Sequence, residues 1–130
     1  MQRVLITGGA GFIGSHLAEA LVTEGKEVFV IDDLSTGSLV NIAHLRDNPN
    51  FHFAKGSILN PPDLEPLVDQ VDFIYHFAAA VGVELVVRSP VFTIENNIRG
   101  TENVLAAAAK LAADLTITPS DLYSLELRVP

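Results

Sequence analysis

Gly8, Gly11 and Gly14 recur at every third position in Thr7-Gly8-Gly9-Ala10-Gly11-Phe12-Ile13-Gly14, directly after the apolar run Val4-Leu5-Ile6. Glycines so placed can hold an anion. A strand that ends in a glycine turn and opens a helix directs several unpaired backbone N–H groups at one point, where the helix dipole also favours negative charge. Gly8 permits the tight turn, Gly11 removes the Cβ that would block a pyrophosphate, and Gly14 lets the helix press against the strand. Asp32 stands eighteen residues beyond Gly14, at the end of the next apolar run, where a carboxylate can accept ribose hydroxyls. Strand, helix, second strand and terminal acid occur together, and that context predicts a dinucleotide site rather than a purely structural turn.

Asp32 and Asp33 also fit a plainer role, as turn formers ahead of the helix that Ser38 introduces. The two roles are compatible. Two carboxylates beside the adenosine ribose repel a 2′-phosphate, and no Arg or Lys follows them before Arg46, so the residues favour NAD over NADP.

The elements that must position these residues alternate. Arg3–Thr7 reads as a buried strand, and Phe12–Glu24 as a helix with Ile13, Leu17, Leu21 and Val22 on one face and Gly25 as its stop. Glu27–Ile31 is a second strand, Leu39–Arg46 a short helix, and Phe51–Ala54 a third strand. Asn60 before Pro61-Pro62 opens a helix to about Gln70. Asp72–Phe77 is a fourth strand, followed by the small residues Ala78-Ala79-Ala80, which leave room for a ligand. Ser89-Pro90 caps a long helix, Val91 to Ala113, with Phe92, Asn96, Gly100, Val104 and Ala108 near one stripe. Leu115–Thr118 is a candidate fifth strand, and Leu125–Val129 alternates weakly. The expected fold class is α/β: a Rossmann-type, doubly wound parallel sheet of about five strands in three αβα layers, with right-handed crossovers.

One hundred and thirty residues suffice for one domain but not for a nucleotide domain plus a full substrate domain. Sixteen acidic against eight basic residues give a net charge of -8, which argues against nucleic acid. There is no cysteine for a disulfide or a thiol nucleophile, and His16, His44, His52 and His76 lack metal-ligand spacing. With no signal-peptide pattern and no run of membrane-spanning length, the expectation is a cytoplasmic protein without a membrane partner.

Val4 to Lys110 resembles the amino-terminal half of the extended short-chain dehydrogenases/reductases, the NAD-dependent epimerase/dehydratase family acting on nucleotide sugars, and UDP-glucose 4-epimerase-like members above all. The resemblance is carried by Thr7–Leu17, Asp32-Asp33-Leu34-Ser35-Thr36-Gly37, Gly56-Ser57-Ile58, His76-Phe77-Ala78-Ala79, Ser89-Pro90 and Asn96–Leu105. It covers residues 1–113 and leaves 114–130 as a divergent tail with no substrate domain. It implies NAD lying along the carboxyl ends of the strands. Phe12 and Ile13 are then near the pyrophosphate, Asp32 and Asp33 at the ribose with Ser35, Thr36 and Gly37 beside them, and Ser57 and Ile58 flanking adenine. Phe77, Ala78 and Ala79 line the wall, and Asn96 reaches in from the long helix. Phe77 and Ile58 also suit a core, Asn96 and Asn97 a solvated helix face, and His76 reads as a packed or hydrogen-bonded histidine rather than a catalyst.

Two departures stand out. Ser57 occupies a position where the family usually has Asp, replacing a charge-assisted hydrogen bond with a neutral one. The family also uses a Tyr-x-x-x-Lys pair with a nearby Ser or Thr, because a phenol near pKa 10 needs about 4 kcal/mol of help to ionise at neutral pH. Here Tyr75 and Tyr123 are followed four residues on by Ala79 and Leu127, and Ser120 is the nearest stand-in for the hydroxyl residue. The sequence therefore reads as a truncated dehydrogenase that retains the cofactor half and has no turnover alone. Two alternatives remain: half of an active UDP-sugar 4-epimerase, meeting a nucleotide sugar only with a complementing chain, or a non-catalytic NAD-responsive sensor. Self-association is expected through an open sheet edge or the 91–113 helix.

Overall fold

The structure is a computed structural model describing residues 1–79 and 87–114. The elements are β1 (Arg3–Thr7), α1 (Phe12–Thr23), β2 (Glu27–Asp32), a 3-10 helix (Leu39–Leu45), β3 (Phe51–Lys55), α2 (Pro61–Val68), β4 (Phe73–His76) and α3 (Pro90–Asp114). The candidate strands at Leu115–Thr118 and Leu125–Val129, together with Ala80, Ser120 and Tyr123, lie outside the described residues.

The four described strands are parallel, in the order β3-β2-β1-β4. Val4, Leu5 and Ile6 form an unbroken apolar run rather than an alternating one because both faces of β1 are covered. Val4, Ile6, Val28 and Val30 face Ala18, Leu21 and Val22 of α1 and Ile42 and Leu45 of the 3-10 helix. Leu5, Phe29 and Ile31 face Leu64 and Val68 of α2 and Val104 and Ala107 of α3. Helices on both faces make three layers. Each fully buried Leu or Ile in them contributes about 1.5–3 kcal/mol.

Consecutive strands run outward from β1 to β3, and the chain then crosses to place β4 on the other side of β1. Between β1 and β4 the direction of winding reverses, which opens a crevice at the carboxyl ends of the strands.

Several expectations shift. The helix at Leu39 is 3-10, because its two buried anchors, Ile42 and Leu45, lie three apart and suit i,i+3 stacking. Helix α1 ends in a Schellman motif, with Gly25 at φ 84° and the Lys26 N–H donating to the Leu21 carbonyl, as Gly25 predicted. On α1 the buried residues are Gly14, Ser15, Ala18, Leu21 and Val22, whereas Ile13 is 66% exposed at the crevice. On α3 the buried stripe is Thr93, Gly100, Val104 and Ala107; Phe92 is exposed, since the helix is rotated to dock Val104 and Ala107 against α2 and the sheet.

Candidate functional site: a crevice at the carboxyl ends of the strands

The glycine turn leaves β1 at Thr7. Gly8 has φ 74°, a left-handed conformation that glycine adopts without cost, and its N–H donates to the Ile31 carbonyl at 2.8 Å. A Cβ there would also stand 2.7 Å from the Ala78 backbone nitrogen, so Gly8 serves both the turn and the close approach of the opposite wall. Gly14 packs against the Gly8–Gly9 backbone, so its partner is the turn itself rather than the strand. Gly11 differs: a Cβ would meet only the Gly8 carbonyl oxygen, at 3.3 Å. Its absence keeps the crevice open.

Gly11 is the N-cap of α1 and makes no side-chain cap bond, and the first turn holds no acidic side chain. Among the described residues no acceptor takes the N–H groups of Phe12, Ile13 or Gly14. Three donors at the positive end of a helix dipole thus face the crevice mouth, an arrangement that suits a phosphate.

Asp32 is 8% exposed at the end of β2. Its Oδ2 accepts the Ala10 N–H at 3.0 Å and its Oδ1 the Leu34 N–H at 2.8 Å. Each carboxylate oxygen carries two lone pairs, so one acceptor site per oxygen remains for a ligand hydroxyl. The acid therefore ties the glycine turn to its own loop besides facing the crevice. Leu34, held at φ 64° by that bond, packs against the core. The Asp33 Oδ1 accepts both the N–H and the hydroxyl of Ser35, the turn role its residue type allows. Gly37 closes the loop, since a Cβ there would lie 2.9 Å from both the Ala10 carbonyl oxygen and the Asp32 Oδ2.

The third side is the segment after β3. The Asp63 Oδ2 accepts the Ser57 N–H at 3.1 Å, and the Ser57 Oγ accepts the Leu59 N–H at 3.1 Å, leaving the serine hydrogen to donate. Asn103 of α3 donates to the Ile58 carbonyl at 2.8 Å, and Gly100 lets α3 settle directly on the Ile58 side chain. The far wall is the exit from β4, where the Phe77 and Ala78 N–H groups donate to the Thr7 Oγ1 at 3.0 and 3.1 Å. His76, whose Nδ1 lies 2.6 Å from the same oxygen, has its pKa lowered by burial. Asn96 sits half-buried on the α3 side, its amide bonded to no other described residue.

Gly8, Gly11, Phe12, Ile13, Gly14, Asp32, Asp33, Ser35, Thr36, Gly37, Ser57, Ile58, Phe77, Ala78, Ala79 and Asn96 thus line one crevice of about 540 Å³. The size falls in the range of small-molecule sites.

The family model for GDP-mannose 4,6 dehydratase matches residues 5–121. The chain belongs to this family. Among curated relatives of this dehydratase-family chain, UDP-glucuronic acid decarboxylase 1 of Arabidopsis thaliana is 39% identical over 129 residues, covering 98% of the chain and 28% of the relative. The chain thus spans under a third of that relative's length. Among solved structures, DesIV, the dTDP-glucose 4,6-dehydratase of Streptomyces venezuelae with NAD bound, superposes with a TM-score of 0.80 at 34% identity, covering 85% of this chain and 37% of that one. The UDP-glucose 4-epimerase of Thermus thermophilus in complex with NAD gives 0.74 at 34% identity, covering 85% and 35%. The resemblance to the extended short-chain dehydrogenases/reductases of epimerase/dehydratase type is upheld, and with it the Rossmann-like fold.

The dehydratase-family crevice also uses residues to which sequence reasoning gave no site role. Gly9 lies where a Cβ would press on Val30 at 2.6 Å, and Asn41 donates to the Ala10 carbonyl, pinning the 3-10 helix to the glycine turn. Phe92 and Asn97 join Asn96 on the α3 side. Thr7, the first residue of the family's motif, supplies the hydroxyl that shapes the far wall. Among the described residues no cluster has the makings of a metal site and no helix is long and apolar enough to cross a membrane.

Proposed function

We propose that this chain binds NAD in the crevice and constitutes the cofactor-holding part of a nucleotide-sugar epimerase/dehydratase-type protein. The observation that carries the reading is the set of N–H groups of Phe12, Ile13 and Gly14, without an acceptor among the described residues, beside the open space at Gly11. Phe12 and Ile13 border the pyrophosphate. Asp32 holds the adenosine ribose through its remaining lone pairs, with Asp33 and the Ser35–Gly37 loop beside it. Ser57 and Ile58 flank adenine, Phe77 to Ala79 form the wall, and the Asn96 amide reaches the cofactor from α3. The residues present fit the group. Asp32 and Asp33 disfavour the additional 2′-phosphate of NADP. The NAD-bound dehydratase and epimerase neighbours support the same cofactor.

Bound NAD would supply the acceptor for a hydride from a hydroxyl-bearing sugar carbon. These 130 residues hold no Tyr-x-x-x-Lys, and Tyr75 packs against the core cluster on the α1 face. In this reading hydride transfer on a nucleotide sugar requires a tyrosine and lysine contributed from outside these residues. Titrating NAD calorimetrically into the full chain is expected to show saturable binding, at least tenfold weaker for Gly11→Val and for NADP. Parent-like binding by Gly11→Val would refute the reading.

A second reading, association of copies, is favoured by one observation. Val91, Ile94, Ile98 and Leu105 are exposed on α3 at spacings of three, four and seven, a stripe of the kind helices bury against one another. Sedimentation equilibrium tests it: dimers that dissociate on Ile94→Glu support it, and a monomer at high concentration refutes it.

A further inference from the structure

Four hydrogen-bonding groups outside the phosphate and ribose contacts meet where the winding of the sheet reverses. The Thr7 Oγ1 lies 2.6 Å from the His76 Nδ1, the His76 Nε2 lies 3.0 Å from the Thr101 Oγ1, and the Thr101 hydroxyl donates to the Asn97 carbonyl at 2.8 Å. The Thr7 oxygen also receives the N–H groups of Phe77 and Ala78.

One proton arrangement satisfies these groups best. A carbonyl oxygen only accepts, so the single hydrogen of Thr101 goes to Asn97, and the Thr101 oxygen must accept from the His76 Nε2–H. The Ala78 N–H and the Phe77 N–H, the latter shared with the Thr7 carbonyl at 3.0 Å, already donate to the Thr7 Oγ1, so its single hydrogen is best used toward an unprotonated Nδ1. The other tautomer, or the imidazolium, would aim a third donor at Thr7. Burial of His76, which lowers its pKa, favours the neutral ring as well.

We infer that His76 is a positioning residue for the cofactor crevice, fixed as the neutral Nε2–H tautomer, that locks the glycine turn, the 77–79 wall and α3 into one spacing. Thr7 immediately precedes Gly8. The Ala78 nitrogen it holds presses on the face of Gly8 where a side chain would begin. Thr101 lies one helical turn beyond Asn97, so the imidazole bridges the strand end to the part of α3 that carries Asn96 and Asn97. None of the three relay side chains lines the crevice. Their effect on a ligand is carried through the groups they hold.

The affinity consequence rests on the proposed NAD site; the tautomer does not, and the test separates them. Long-range nitrogen-15 correlation of the imidazole rings in the full, ligand-free chain at pH 7.5 is expected to show His76 protonated on Nε2 alone. In NAD titrations His76→Phe, which keeps ring volume without ring nitrogens, and Thr101→Val are each expected to weaken binding about three- to tenfold. The double variant is expected to be no weaker than His76→Phe, because both break one relay. Thr7→Ser, which keeps the hydroxyl, is expected to restore most of the affinity that Thr7→Val loses. A proton on Nδ1, additive losses, or Thr7→Ser as weak as Thr7→Val would overturn the inference. If the variants fail to fold, the tautomer of the unmodified chain decides alone. A parent chain that binds no NAD would refute the proposed function while leaving the tautomer result to stand or fall by itself.

Discussion

Gly8→Ala, Gly25→Ala and Gly11→Ala introduce the same methyl group into three different surroundings, and the structure orders their effects. Gly25 at φ 84° has nothing within 4 Å of a built Cβ, so alanine there incurs only the left-handed backbone penalty of about 1–2 kcal/mol. Gly8 at φ 74° carries the same penalty, and its Cβ would stand 2.7 Å from the Ala78 nitrogen and 2.9 Å from the Ala78 Cα. Both are backbone atoms held by Thr7, so relief requires moving the wall, an overpacking cost of about 1–3 kcal/mol more. Gly11 sits at φ -79°, open to any residue, with one contact at 3.3 Å. Alanine there is expected to change stability by under about 1 kcal/mol. Urea denaturation of the three variants at constant m-value measures the ordering. The expected sequence of losses is Gly8 greater than Gly25, and Gly25 greater than Gly11, while NAD affinity is expected to fall sharply for Gly8→Ala and Gly11→Ala only. Equal unfolding of the Gly8 and Gly25 variants, or a Gly11 variant that is the least stable of the three, would refute the packing argument.

Gly100→Ala gains about 1 kcal/mol of helix propensity in α3 but pushes the Ile58 side chain toward the crevice. Thermal melts should show little loss of stability, while NAD titration shows weaker binding. Asp32→Asn keeps the shape but leaves one of two backbone N–H groups facing an amide NH₂. A loss of about 1–3 kcal/mol in denaturant titration is expected, beyond any effect on NAD. His76, with its folded pKa lowered below the ordinary value near 6.5, binds fewer protons folded than unfolded just below that pH. Its share of stability is complete above about pH 6.5 and declines on acidification toward the lowered value. Stability–pH curves of the parent and His76→Phe should therefore converge as the pH falls through that window; parallel curves would contradict a buried, neutral imidazole.

Much of the crevice was legible because its parts announce themselves locally. Val4-Leu5-Ile6 before Gly8 fixes a buried strand and its turn, and Asp32 closes the next strand at the same end of a parallel sheet. Residues at strand carboxyl ends then converge whatever the loops between them do. The tertiary pairings were not legible. Thr7 meets His76 across 69 residues through the β1–β4 register, and Thr101 and Asn103 reach His76 and Ile58 only after α3 docks. Spacing alone put Phe92 and Ala108 on the helix stripe, but docking against α2 and the sheet selects Thr93, Val104 and Ala107. Asp32 reads from sequence as a ligand acceptor. Its bonds to Ala10 and Leu34 depend on loop closure that Gly37 and the φ of Leu34 permit, which no residue type encodes by itself.

A crystal structure of the full chain grown with NAD tests the central claim most directly. The account predicts the pyrophosphate against the N–H groups of Phe12 and Ile13 over Gly11, with the adenosine ribose hydroxyls on the Asp32 carboxylate. Cofactor bound elsewhere on the surface, or a glycine turn filled by the chain's own side chains, would contradict it.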